Sequence, residues 1–183
     1  MTETPTDGRL ARGHARRRRL VDAAVAVLAR GGMGALTHRA VAAEAGVPLA
    51  SASYHFNGID ELVLTAMRRA NEDLTAAVRS DLADRSPGGL ARLLAHELNT
   101  RRELLIAEYE FYLLAMRRPE LRPTALAWVD VIADAFAPQL SDPQRRALVA
   151  AIEGICLHAL LADHPADAVH IEDTLRATPI EAR

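Results

Sequence analysis

AAEAGVPLASASYHF, residues Ala42–Phe56, is the stretch that decides how this chain is read. It is a helix end, a glycine turn, a proline start and a second short helix closed by Tyr54, His55 and Phe56. The second helix is made of little but Ala and Ser, so it cannot hold a core by itself, but it can lie against another surface. Gly46 takes a left-handed turn without Cβ strain. Val41 and Ala45 must pack inward, Val47 plugs the angle between the helices, and Ala52 faces inward. That leaves Leu49, Ala50, Ser51, Ser53 and Tyr54 at or near the outer face, beside Pro48 and His55. Small outward side chains let a helix enter a major groove closely. Their hydroxyls can bond phosphates or base edges, and their methyls can touch thymine. The spacing is that of a helix-turn-helix, and it also fits a purely structural helical corner.

Along the rest of the chain, apolar residues recur at helical spacing and no strand-like alternation persists. Upstream, RRRRLVDAAVAVLARGG puts Leu20, Ala24, Val27 and Leu28 on one stripe, ended by Gly31 and Gly32. Thr37 can N-cap HRAVAAEA, and Pro48 suits the first position of the third helix. Downstream, Asn57 or Gly58 caps a long helix with the stripe Val63, Met67, Ala70, Leu74 and Val78. SPGG (86–89) reads as a break before a helix to about Asn99. RRELLIAEYEFYLLAMRR (101–118) is apolar almost all round its middle and should be central. After RPELRP come a helix ending before Pro138, another opened by SDPQ and running to about Asp163, and a last short helix. The prediction is an all-α protein of about nine helices. Residues 1–12 form a disordered arm, 13–58 a helix-turn-helix DNA-binding domain, and 59–183 a ligand-binding and dimerisation domain.

The chain has 183 residues, half of them hydrophobic, and a net charge of −2. Residues 1–60 carry 8 Arg against 5 acidic residues, and residues 61–183 carry 14 against 19. A basic front and an acidic back point to an anionic partner at one end, or to a solvated tail. All 22 cationic residues are Arg, so any cationic side chain on a phosphate must be Arg, which binds it bidentately. Cys156, the only cysteine, excludes an intrachain disulfide and reads as a small buried hydrophobe. The N-terminus has no signal-peptide core, and no run is long and apolar enough to span a membrane, so a cytoplasmic protein is expected.

The segment LTHRAVAAEAGVPLASASYHFNGIDELV resembles the DNA-binding domain of the tetracycline-repressor (TetR) family. Thr37, Val41, Ala42, Ala45, Gly46, Val47, Tyr54, His55, Phe56, Glu61 and Leu62 match that family's pattern, and the likeness covers about residues 15–66. Two positions depart from it: Ser53 stands where a Tyr is usual, and Ile59 where a Lys is usual. Both commonly touch DNA phosphates in the family, so phosphates here should be held differently. Arg39, His38, Tyr54 and the run Arg16–Arg19, with Arg17 foremost, are the candidate replacements. Pro48 and Leu49, in place of Ser and Lys, suggest a more apolar face toward the groove. The resemblance implies DNA contacts from Arg17, Thr37, His38, Arg39, Pro48, Leu49, Ala50, Ser51, Ser53, Tyr54 and His55.

Two further groups are read from the later helices. Glu108 and Glu110 sit among Tyr109, Phe111 and Tyr112, so at least one carboxylate should be semi-buried, paired with an Arg or with a ligand. His96, Met116, Trp128 and His158 could complete a pocket wall. The helices at 124–137 and 143–163 are apolar on more faces than a monomer requires, and Gly154 sits mid-helix, where close approach of a partner is one reason to tolerate it. Trp128, Ile132, Leu148, Ala151, Ile152, Gly154, Ile155 and His158 are the expected dimer face, since the family usually dimerises through two late helices. No catalytic constellation, metal set or cofactor motif is present. The expectation is therefore a ligand-responsive regulator, a repressor that binds a palindromic operator as a dimer and is released by a small molecule. An activator of the same fold, or a helical dimeric module that has lost DNA binding, are the alternatives.

Overall fold

The computed structural model describes residues 6–81, 84–136 and 138–177. Nine α-helices and one short 3-10 turn account for nearly all of these, and no strand occurs among the described residues. The chain divides into two compact units, residues 1–70 and 71–183.

In the first unit, α1 (Thr6–Ala35) carries Leu20, Ala24, Val27 and Leu28 to the core. Its helix begins within the segment expected as a disordered arm, because Leu10 and the Ala and Arg residues around it are good helix formers; residues 1–5 lie outside the described residues. As expected, the regular helix stops at the glycine pair: Gly32 is non-helical at φ +64°, ψ −167°, and a short second helical stretch resumes beyond this kink to Ala35. α2 (His38–Glu44) starts on Thr37, whose hydroxyl accepts the Ala40 N–H at 3.1 Å. Gly46, at φ +63°, then reverses the chain, and the Val47 N–H closes the turn on the Ala42 carbonyl at 3.0 Å. α3 (Leu49–His55) follows, with Pro48 one position earlier than expected, as its N-cap. Ala52 and Phe56 are buried between these helices. α4 (Ile59–Asp81) opens where Glu61 reaches back to accept the Asn57 N–H at 2.9 Å. Leu62, Val63, Ala66 and Met67 of its first turns are buried, and the units divide within this helix rather than at its head.

The second unit adds α5 (Pro87–Thr100), α6 (Arg102–Arg117), the 3-10 turn Pro119–Leu121, α7 (Arg122–Phe136), α8 (Asp142–Leu161) and α9 (Ala168–Ala177). SPGG, expected as a break, is a helix start: Ser86 caps Gly89 at 3.1 Å, Pro87 takes the first turn, and Gly88 lies against the Glu172 carboxylate of α9. α8 opens with a capping box of Ser141 and Gln144. Arg145 ties α8 to α7 through Asp130 at 2.8 Å and through Asp134. Asn99 of α5 holds the α8–α9 connection by two bonds to the Ala166 backbone, of 3.0 and 2.8 Å. The core is Leu90, Leu94, Leu98, Leu104, Phe111, Leu121, Leu148, Ile152, Ile171 and Leu175.

Candidate nucleic-acid interface and buried acidic site

α3 presents one side to the core and the other to solvent. With Ala52 fully buried, Leu49, Ala50 and Ser53 are exposed, and Tyr54 is 84% exposed, its ring in edge contact with His55. An exposed tyrosine on a helix of small residues is a poor core element and a good contact element. Ser53 turns its hydroxyl back to the Leu49 carbonyl at 3.5 Å, so it is only loosely engaged. Ser51 and His55 are half-buried at the edge of this face. On α2, Arg39 is exposed and His38 half-buried, its Nε2 buried without a hydrogen-bond partner. Thr37 is committed to its cap.

The arginine run does not form one surface. Arg17 lies over the Phe56 ring at 5.0 Å from its centroid and pairs with Glu61 at 3.5 Å. Arg19 donates to the Ala45 carbonyl at 2.7 Å and so caps α2 from α1. Both brace the first unit. Arg16 and Arg18 are exposed. Arg12, Gly13, His14, Arg16 and Arg17 form one wall of a cleft of about 780 Å³, and Ala50, Ser51, Tyr54 and His55 of α3 form the other.

The second unit buries a carboxylate. Glu108 is only 6% exposed, whereas Glu110 is exposed. The Tyr112 hydroxyl donates to Glu108 Oε1, and Tyr112 meets Tyr109 edge-on with centroids 5.6 Å apart. Burial pushes the Glu108 carboxyl up to about 8, opposed by the Tyr112 hydrogen bond and reinforced by the charge of Glu153. Arg101 also acts on Glu108, but it is ion-paired to Glu97 at 2.9 Å. Glu108 itself forms no ion pair among the described residues, so around neutrality it keeps its proton. The Trp128 indole N–H is buried without a hydrogen-bond partner, yet it lies near enough to Glu108 to favour its ionised form. Tyr109 donates to the Glu153 carbonyl at 3.2 Å. Burial raises Glu153 as well, and pushes the Cys156 thiol up to about 12.

Of the expected ligand residues, Glu108, Tyr109, Tyr112 and Trp128 therefore come together. Met116 is 67% exposed at the far end of α6, and His96 is exposed on α5. Glu153 joins the cluster without having been singled out, although it stands in the apolar run AAIEGICLHALL just as Glu108 stands in its own.

The expected dimer residues separate by helical phase. Trp128, Leu148 and Ile152 are buried within the single chain, so a partner cannot reach them without unpacking it. Ala151, Gly154, Ile155 and His158 face outward along a concavity of about 750 Å³ between α8 and α9. The side chain of Ile132 lies outside the described residues.

A helix-turn-helix unit with an exposed second helix, joined to a helical unit, is the architecture of a DNA-binding transcription regulator. Comparison with known proteins fixes the family. Residues 20–66 match the model of the bacterial regulatory proteins, tetR family, and residues 81–178 match a tetracyclin repressor-like C-terminal domain. The chain is 42% identical to a multidrug binding protein, EbrR, solved with proflavin, over 88% of this chain and 98% of that one, with a TM-score of 0.71. The same protein solved with ethidium gives a TM-score of 0.75 at 42% identity, over 88% and 96% of the two chains. A TetR-family member from Streptomyces coelicolor A3 is also 42% identical, over 88% and 96% of the two chains, with a TM-score of 0.74. No curated protein matches the chain significantly. The chain belongs to the TetR family of transcriptional regulators. Members of that family are regulators rather than enzymes. No described helix is long and apolar enough to cross a membrane.

Proposed function

We propose that this chain is a cytoplasmic repressor that binds a palindromic operator as a homodimer and is released by a lipophilic aromatic cation held at Glu108. The observation that carries the reading is Glu108 itself. An interior carboxylate without an ion pair among the described residues, walled by Tyr109, Tyr112 and Trp128, offers an aromatic cation both a counter-charge and ring faces. Proflavin and ethidium, the compounds bound in the EbrR structures, are flat aromatic cations. The reading calls for no cofactor or metal.

DNA contact falls to the outer face of α3 (Pro48, Leu49, Ala50, Ser51, Ser53, Tyr54 and His55) and to His38 and Arg39 of α2. Two copies joined through Ala151, Gly154, Ile155 and His158 would supply two recognition helices, as a palindrome with half-sites about 34–36 Å apart requires. α4 spans the division between the two units, so it is the covalent route by which an effector could alter the DNA-binding unit. An effector shifts that equilibrium only by its difference in affinity for the two states.

The test is fluorescence anisotropy on a labelled duplex taken from the DNA flanking the chain's own coding region. Tetraphenylphosphonium serves as effector, because it carries a permanent charge and does not intercalate. Specific binding, with release by tetraphenylphosphonium and not by neutral triphenylmethane, is expected. Equal binding to unrelated duplexes would overturn the DNA reading, indifference to aromatic cations would overturn the effector reading, and tighter binding with effector would overturn release by the effector.

A further inference from the structure

Of the cations near α3, two are already engaged. Arg17 is held between the Phe56 ring and Glu61, and Arg19 is held on the Ala45 carbonyl. The head of α4 offers no substitute, since it reads Ile59, Asp60, Glu61. Beyond the exposed Arg39 of α2, a backbone phosphate beside α3 therefore needs a cation from α1. Arg12 and Arg16 are exposed, neither forms an ion pair among the described residues, and both line the cleft that faces Ser51, Tyr54 and His55.

Their spacing suits the task. Four residues apart on α1, they project from one helix face with a rise of about 6 Å between them, so two guanidinium groups stand in a row along the cleft. Gly13 lies between them with open space where a Cβ would be, which leaves the cleft floor clear. Across it stand the Ser51 hydroxyl and the Tyr54 phenol, neutral donors suited to the same anion.

We infer that Arg12 and Arg16 are a backbone clamp: with α3 in the major groove, the adjacent strand's phosphates run through the cleft between α1 and α3 and are held bidentately by these two arginines. The inference rests on the proposed DNA binding. It assigns the electrostatic part of affinity to the first turns of α1, and leaves base reading to α3 and α2.

The experiment compares the full-length chain with Arg12→Gln/Arg16→Gln on the operator across a salt series. A control, Arg92→Gln/Arg176→Gln, removes the same charge from the second unit. Each phosphate contact contributes about 0.9 to the slope of log K against log salt, so the double variant should flatten it by about 1.8. The ranking of operator variants and the affinity for tetraphenylphosphonium should not change, and the control should keep the wild-type slope. An unchanged slope in a folded Arg12→Gln/Arg16→Gln protein overturns the clamp, and so does equal flattening in the control. If the wild-type chain binds no operator, it is the proposed function that fails instead.

Discussion

Glu108 makes a prediction that a single titration can decide. Its carboxyl is held up to about 8 by burial. An aromatic cation gains most from the ionised form, so binding must first expel the proton. Ethidium is a suitable probe in the absence of DNA, because its charge does not change across the range. If only ionised Glu108 binds well, affinity falls about tenfold per pH unit below 8 and levels above it. Between pH 9 and pH 6 the apparent Kd should therefore weaken about 100-fold. At pH 7 close to one proton should be released per site, measurable by calorimetry in two buffers of different ionisation enthalpy. Glu108→Gln should bind weakly at every pH and release no proton. A flat profile in the wild-type chain, together with a Glu108→Gln protein that binds equally well, would refute the argument.

The same group links stability to pH, and the sign follows from which state holds the proton. The unfolded carboxyl titrates near 4.5 and the folded one at about 8, so between those values the native state binds more protons. This contribution to stability is full below 4.5 and is lost as pH rises through 8. A span of roughly 3.5 units corresponds to about 5 kcal/mol. Glu153, also raised by burial, acts in the same direction. The unliganded protein should therefore lose thermal stability from pH 5 to 8, and ethidium should restore it most at the alkaline end.

Other consequences are measurable separately. Tyr54→Ala and Arg39→Ala should each weaken binding to the proposed operator about tenfold, or about 1.4 kcal/mol, while the sizing profile stays that of the wild-type chain; a changed profile would mean that these residues do not serve the surface. Phe56→Ala should cost about 3–5 kcal/mol in denaturant melts, since it empties a site only 1% exposed and strips Arg17 of its ring. Arg19→Ala should cost about 1 kcal/mol by removing a charged donor from the Ala45 carbonyl, and should leave the salt slope of DNA binding unchanged. Ile155→Arg should produce monomers on sizing columns with an intact helical spectrum, because the side chain points along the α8–α9 concavity and not into the chain's own core.

How far the sequence could be read depended on whether a signal was local. The helix-turn-helix was legible because each of its parts has a short-range cause: Thr37 as a cap, Gly46 for its positive φ, Ala52 for its lack of bulk. The all-α order was legible from periodicity and caps. The glycines after Ser86 were harder to read: Gly88 makes room for the Glu172 carboxylate of α9, a demand set by a residue far along the chain, while Gly89 makes room for the nearby Asp84 backbone. The buried acid could be narrowed to Glu108 or Glu110 but not chosen, because α6 is apolar on nearly every face and its phase is set by what packs against it. α8 posed the same difficulty: Leu148 and Ile152 turned inward and Gly154 and Ile155 outward, a choice its composition did not express. The arginines show the limit most clearly. Four identical residues in a row at 16–19 cannot be ranked by type. Which of them braces the fold depends on where Phe56, Glu61 and the Ala45 carbonyl lie, tens of residues away. Once Arg17 and Arg19 are drawn inward by those partners, helical phase leaves Arg16, and Arg12 one turn earlier, to face the cleft beside α3.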